Sequence, residues 1–235
     1  MNVINIKNFF PKQITLLFLI TTLITLATAE KSTTIAPFSS SSETSLTALE
    51  IGKIYSTSYK LEKEERYEAA IAVLYPVLKN FPTTYTVNYR IGWLSYLSGK
   101  YTNALASYQK ALNVVPTSLE IINSTALVHS ARSNWKKMEI TAKKAIEIDY
   151  YNYNANLNML YSLTKQNKWD LVESYSNKML GILPSNSQFL FHLGQAYFEK
   201  GEHQKSGALF ESVWILNPYH IQNLEYLKKL KEQKQ

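Results

Sequence analysis

Cysteine is absent from the 235-residue sequence, and glycine and proline are scarce, with seven of each. Without cysteine the chain has no disulfide, no thiolate metal site and no cysteine nucleophile. So few glycines and prolines argue against a sandwich or barrel, which depends on many tight turns. Apolar residues make up 46% of the sequence, so the chain is able to build a core by packing alone.

The formal net charge is +7, but the basic residues are scattered along the chain and form no block. A basic protein can meet nucleic acid or an acidic surface. Scattered charges are more typical of solvated helix faces, so we expect no nucleic-acid partner. Tyrosine is unusually frequent, with seventeen residues, which indicates either packing between helices or a contact surface.

The first 29 residues have the features of a secretory signal peptide. Lys7 and Lys12 precede an uncharged, mostly apolar run over residues 14–29, which ends in Ala27-Thr28-Ala29. This order predicts cleavage after Ala29 and a periplasmic or secreted protein. The alternative is a membrane anchor formed by residues 14–29. As a helix, that run spans only about 24 Å, against a hydrocarbon core of about 30 Å, so its length favours cleavage.

A Ser/Thr-rich segment, residues 30–46, follows with no helical periodicity, and its composition predicts a disordered linker. Thr47 and Glu50 then have the spacing of a capping box, which predicts the start of the first helix. The folded part is therefore expected over residues 47–220, with a further helix and tail over 221–235.

A 34-residue period runs through the folded part. Prolines recur at Pro82, Pro116, Pro184 and Pro218, and Tyr150 occupies the missing step. We define five repeats, in which these residues take position 32: residues 51–84, 85–118, 119–152, 153–186 and 187–220. Apolar residues recur within each repeat at spacings of three and four, which predicts two helices joined by a short turn.

The second repeat shows the pattern most completely, with Gly92, Ala104, Tyr108, Ala111 and Pro116 at positions 8, 20, 24, 27 and 32. At these residues the chain resembles the tetratricopeptide repeat family. The resemblance implies an all-α fold, a right-handed α-solenoid of five helix-turn-helix repeats with a C-terminal capping helix. Residues 221–232 fit that cap: the spacing predicts that Ile221, Leu224, Leu227 and Leu230 cover the last repeat.

In tetratricopeptide repeats, positions 2, 5, 9 and 12 of the first helix line an inner groove, and position 6 lies at its edge. The resemblance therefore implies a partner-binding groove that is rich in aromatic and amide side chains. Its candidate residues are Tyr55, Tyr59, Tyr89, Arg90, Trp93, Tyr96, Asn123, Asn154, Asn158, Tyr161, Phe191, His192, Gln195 and Phe198.

The sequence shows no constellation of nucleophile, acid and base, no phosphate-binding glycine loop and no metal-ligand spacing. We therefore expect no enzyme, no catalytic residues, no cofactor and no metal. Glu62, Glu64 and Glu65 are interpreted as a solvated turn.

The resemblance implies an extracytoplasmic scaffold for protein–protein interaction, which binds a peptide or protein within a cell-envelope assembly. The alternative is binding of an anionic envelope polysaccharide by aromatic and basic groove residues. Membrane contact is expected only through an uncleaved N-terminal segment, and the oligomeric state is left open.

Overall fold

Twelve α-helices make up the regular secondary structure of residues 45–232, the part of the chain that the computed structural model describes. No residue in this range lies in a β-strand, and the predicted all-helical fold is confirmed. The predicted signal peptide and the linker as far as residue 44 lie outside the described residues. Within 45–232, no helix combines the length and the hydropathy needed to cross a membrane.

The helices alternate between two roles in the repeat. The first helix of each repeat is called an A helix and the second a B helix. The A helices are α1 (Ala48–Lys63), α4 (Tyr85–Leu97), α6 (Leu119–Ala131), α8 (Tyr153–Lys165), α10 (Ser187–Glu199) and, after the last repeat, α12 (Ile221–Glu232). The B helices are α2 (Tyr67–Ala72) with α3 (Tyr75–Asn80), α5 (Tyr101–Val114), α7 (Trp135–Ile148), α9 (Trp169–Leu180) and α11 (His203–Leu216).

The helix boundaries follow the 34-residue period. B helices begin at residues 67, 101, 135, 169 and 203, and the A helices from α4 onward begin at 85, 119, 153, 187 and 221. Each B helix contacts the A helix before it and the A helix after it, and consecutive A helices also touch. The chain therefore builds one continuous stack. At its start, Thr47 and Glu50 form the predicted capping box with reciprocal hydrogen bonds.

The turn from each A helix to its B helix has the same backbone conformation in every repeat. Position 15 has a positive φ each time, at Glu65, Gly99, Ser133, Asn167 and Gly201. The next residue donates its backbone N–H to a carbonyl five positions earlier, as in Lys100 to Ser95 and Asn134 to His129, both at 2.8 Å. This is the Schellman arrangement that closes a helix C-terminus.

The B helix of the first repeat is broken, which the sequence analysis did not foresee. Residues 73 and 74 interrupt it, and Pro76 lies in the first turn of α3. A proline inside a helix has no N–H to donate, and its ring collides with the carbonyl four residues earlier. Pro76 is tolerated because a new helix begins there, where the first N–H groups have no intrahelical acceptor.

Close packing between the A and B helices depends on position 8. A Cβ atom added at Gly92 would lie 2.5 Å from the ring of Tyr108, and one at Gly194 would lie 2.6 Å from the ring of Phe210. Both rings are buried, with 1% and 0% of their surface exposed. Glycine at position 8 thus makes room for the aromatic ring at position 24 of the same repeat.

The packed face of α12 differs from the predicted one. Asn223 and Leu230 are buried and Tyr226 and Leu227 half-buried, whereas Ile221 and Leu224 are exposed. The prediction that Ile221 and Leu224 cover the last repeat is wrong. The hydrophobic spacing leaves out the polar residue that anchors the helix. The side-chain amide of Asn223 donates a hydrogen bond of 2.9 Å to the carbonyl oxygen of Phe210.

Substituting alanine for Gly92 is expected to destabilise the fold by about 1–3 kcal/mol, because the buried Tyr108 ring has no space to retreat. Urea unfolding followed by circular dichroism measures the change. Gly52→Ala is the matched control, since nothing lies within 4 Å of a Cβ atom there. That helical glycine should gain about 0.5–1 kcal/mol from alanine. Equal effects at the two glycines would contradict the packing argument.

Candidate interaction surface on the A helices

Position 6 of the A helices is buried against the preceding A helix and does not lie on the edge of an open groove. Arg90, Ser124, Asn158 and His192 occupy it in repeats two to five, and each is less than 10% exposed. Consecutive A helices pack side by side, so position 6 turns into the contact between them. The predicted groove residues Arg90, Asn158 and His192 therefore hold neighbouring repeats together.

Arg90 is enclosed by the side chains of α1. Its guanidinium forms a salt bridge with Glu62 and donates from Nε and Nη2 to Ser58 Oγ at 3.3 and 3.2 Å. It also lies 3.8 Å from the centroid of the Tyr59 ring. Charge, hydrogen bonding and ring stacking are thus all satisfied within the protein, which leaves Arg90 without a role in attracting an anion.

Glu62 was missed as a functional residue and was wrongly interpreted as part of a solvated turn. Besides pairing with Arg90, its carboxylate accepts a hydrogen bond of 2.8 Å from the indole Nε1 of Trp93. Glu62 occupies position 12 of the first repeat, one of the four positions that line the groove in tetratricopeptide repeats. A carboxylate at one of the groove positions 2, 5, 9 and 12 is the sequence signal that marks this residue.

Side-chain amides join the middle of the predicted groove. Asn123 donates to Asn152 Oδ1 at 3.0 Å and accepts from Asn158 at 3.4 Å. Further along, the His192 ring lies 3.1 Å from the Thr164 hydroxyl. These bonds connect residues of neighbouring A helices or of the turn between them, so they fix the positions of α6, α8 and α10 relative to one another.

Helix α12 covers the C-terminal end of the predicted groove. Tyr226 packs on Phe191 and Phe198, with ring centroids 5.9 and 5.1 Å apart. Gln195 donates to the Tyr226 hydroxyl at 3.3 Å. Phe191 and Gln195 are buried, so in this structure they support the cap and are not open to a partner.

The residues that stay accessible lie mainly on α1, α4 and α8. Tyr59 is 51% exposed, and Asn154 is also exposed. Trp93 and Tyr96 are half-buried and pack against each other with centroids 5.6 Å apart. The other half-buried candidates are Tyr55, Tyr89, Asn123, Tyr161 and Phe198. We call the accessible set (Tyr55, Tyr59, Tyr89, Trp93, Tyr96, Asn123, Asn154 and Tyr161) the aromatic stripe.

Part of the aromatic stripe is fixed by rings beneath it. Tyr89 stacks between Tyr85 and Tyr108, at 6.1 Å from each ring centroid. Burial raises the pKa of Tyr89 and raises that of Tyr85 to about 12. The two phenols stay neutral at physiological pH, and they present rigid rings with hydroxyl groups.

The stripe brings together hydroxyl, amide and ring groups but no acid–base pair positioned for catalysis. Across residues 45–232, no group of three His, Asp or Glu side chains is arranged to hold a metal ion. The chemistry on offer is that of a contact surface: stacking, apolar packing and neutral hydrogen bonds.

Comparisons with known proteins agree with this architecture. Residues 60–117 match the family model for the tetratricopeptide repeat. A search of curated protein sequences gives no match. The family match over residues 60–117 and the helical fold of residues 45–232 together support a tetratricopeptide repeat protein.

Solved structures resemble the chain in fold at low sequence identity. YrrB, a tetratricopeptide repeat protein with an unusual peptide-binding site, is 17% identical, with 74% of this chain and 90% of YrrB covered and a TM-score of 0.61. PilW, a widely conserved type IV pilus biogenesis factor, is 18% identical over 80% of this chain and 93% of its own, with a TM-score of 0.61. Pseudomonas aeruginosa PilF is 11% identical over 77% and 82%, with a TM-score of 0.64. These identities establish the fold alone.

Acid should weaken the packing around His192. Burial lowers the pKa of His192 to about 4, and it also lowers the pKa values of His129 and His220. In the unfolded chain a histidine titrates near about 6.5. The unfolded state therefore takes up the proton first, and the free energy of unfolding falls as the pH drops from about 6.5 to about 4.

His192→Gln removes this titration while keeping a polar side chain near Thr164. Between pH 7 and 4.5 the variant should lose about 2–3 kcal/mol less than the unsubstituted chain. Denaturant unfolding at several pH values measures the difference. His203→Gln serves as control because that histidine is exposed. Parallel pH profiles for the His192 variant and the unsubstituted chain would contradict the assignment.

Proposed function

We propose that the protein is an extracytoplasmic interaction scaffold that binds a peptide or protein partner on the aromatic stripe, within a cell-envelope assembly. The observation that carries the proposal is the accessible set of Tyr, Trp and Asn side chains on successive A helices, held in place by the contacts beneath them. Tyr and Trp offer large contact area at low conformational cost, and Asn can bond to a peptide backbone.

The guest is an uncharged, extended segment recognised by stacking and neutral hydrogen bonds. Arg90 is the single basic residue among the candidate groove residues, and it is paired with Glu62 and packed on Tyr59. Recognition of an anionic polysaccharide would use several cations directed outward along the stripe. Besides Arg90, Lys165 places its ammonium over a stripe ring, 5.3 Å from the Tyr161 centroid. The alternative function is therefore weaker than peptide binding.

Two structural neighbours are consistent with this function. The solved structure of YrrB is described as having a peptide-binding site, and PilW is described as a pilus biogenesis factor. The extracytoplasmic location rests on the N-terminal sequence, with its basic start, apolar run and Ala27-Thr28-Ala29 ending.

The double substitution Tyr59→Ala and Asn154→Ala tests the stripe. Both side chains are exposed, so the helices should remain intact, and binding of a peptide selected from a random linear library should weaken about tenfold or more. Isothermal titration with the selected peptide gives the affinity, and circular dichroism gives the helix content.

Ile140→Ala is the control, since this exposed residue lies on the B helix α7 and belongs neither to the stripe nor to the turns between repeats. It should leave the affinity unchanged. Full affinity of the double variant, or an equal loss in the control, would exclude the stripe as the binding surface.

Export makes a separate prediction. N-terminal sequencing of the protein recovered from its host should begin at Glu30, because cleavage after Ala29 satisfies the small-residue rule for signal peptidase. Replacing Ala27 and Ala29 by bulky leucine should block processing and retain the full mass. An intact Met1 terminus in membrane-bound protein would favour the anchor instead.

A further inference from the structure

The two edges of the helical stack differ sharply in charge. The edge formed by the A-to-B turns, residues 62–68, 96–102, 130–136, 164–170 and 198–204, carries fifteen charged residues among thirty-five. The edge formed by the B-to-A turns carries three, Lys79, Glu147 and Asp149, among the same number. We call the second the apolar edge: residues 79–85, 113–119, 147–153, 181–187 and 215–221.

The apolar edge also concentrates the exposed hydrophobic residues. Of the twenty large hydrophobic side chains exposed in the described part of the chain, thirteen lie on it and none on the charged edge. Their exposure is greatest in the last turn, at 77% for Ile215, 89% for Tyr219 and 73% for Ile221. Exposed apolar surface on this scale marks an interaction site.

Hydrogen bonds join two of the four pairs of successive turns on the apolar edge. The Tyr85 hydroxyl lies 2.8 Å from Ser118 Oγ in the next turn. Asn186 donates to the Tyr153 hydroxyl at 3.4 Å across another pair of turns. These bonds fix the turns relative to one another before any partner binds.

We propose that the apolar edge is the interface of a symmetric dimer, where it meets the same edge of a second copy of the chain. In an isologous interface residue i of one copy meets residue j of the other, and residues at the twofold axis meet their own counterparts, so like charges near the axis oppose one another. The turns 181–187 and 215–221 of the apolar edge contain no charged residue, so they can lie at the axis without this cost. The chain as a whole is basic, which penalises contact between copies elsewhere.

The C-terminal part of the edge forms the centre of this interface. Residues 181–187 and 215–221 contain no charged residue, and exposed Trp214 and Leu224 extend the apolar surface beside them. Glu147 and Asp149 lie in the turn before this centre, toward the rim, where charges are tolerated. The last three turns together with Trp214 and Leu224 have 17 exposed residues, close to the roughly 20–30 that a standard interface uses on each side.

A lipid surface fits the same edge less well. Peripheral binding to anionic lipids combines apolar side chains with several Lys or Arg residues at the contact. Within the five turns Lys79 is the one Lys or Arg, and Lys178 reaches the edge from α9, with its Nζ 4.2 Å from the centroid of the Tyr150 ring. Two carboxylates, Glu147 and Asp149, balance these two cations.

Sedimentation velocity at protein concentrations from about 1 to about 100 µM tests the dimer. The protein is purified from its host, so that it has its natural N-terminus. A dimer with a standard-size interface should be populated in this concentration range. The double substitution Ile215→Lys and Tyr219→Lys should raise the dimer dissociation constant at least about 100-fold, because four like charges would meet at the centre. The helix content should not change.

The matched control is Ile140→Lys with Leu171→Lys, which adds the same charge at exposed positions outside the apolar edge. This variant should remain dimeric. A monomer at the highest concentration without substitution, or equal dissociation in the control, would overturn the proposal. A third result would also overturn it: the monomer sediments with neutral phosphatidylcholine vesicles, and the Ile215→Lys and Tyr219→Lys variant does not. The apolar edge would then be a lipid-binding surface.

Discussion

The close approach of each A helix to its B helix is the contact on which the rest of the structure depends. Gly92 and Gly194 let the rings of Tyr108 and Phe210 lie directly against the A helix backbone. Where position 8 has a larger residue, as at Leu160, position 24 is the small Ser176, and both are fully buried. The large side chain at this crossing thus comes from position 24 in repeats two and five and from position 8 in repeat four, whereas repeat three has the small residues Ala126 and Ala142 at both positions.

Successive A helices pack against each other, and position 6 is buried in this contact. Each repeat solves that contact with different chemistry: Arg90 with Glu62 and Ser58, Asn158 with Asn123, and His192 with Thr164. A buried polar residue is stable only where its partners are in reach. These pairs therefore join each A helix to its neighbour through contacts that differ from repeat to repeat.

The sequence predicted the features that repeat and missed those that occur once. Four prolines and one tyrosine at position 32 were enough to set the register, and the helix starts at 34-residue steps agree with it. The break at Pro76, the anchoring of α12 by Asn223 and the pairing of Glu62 with Arg90 and Trp93 each depend on one residue and its neighbours in space. A periodic pattern averages over such residues, so it carries no information about them.

The same limit applies to the aromatic stripe. Helical periodicity places Tyr59, Trp93 and Phe191 on one face, but it does not say what packs beside each of them. The neighbouring helix decides: Tyr59 is open, Trp93 is held by Glu62, and Phe191 lies under Tyr226 and His220. The accessible residues of the aromatic stripe lie on α1, α4, α6 and α8, whereas α12 covers the rings of α10. The apolar edge is formed by the turns between repeats, and its exposure is greatest in the turn before α12. The surface proposed for a partner and the surface proposed for self-association therefore share no residue.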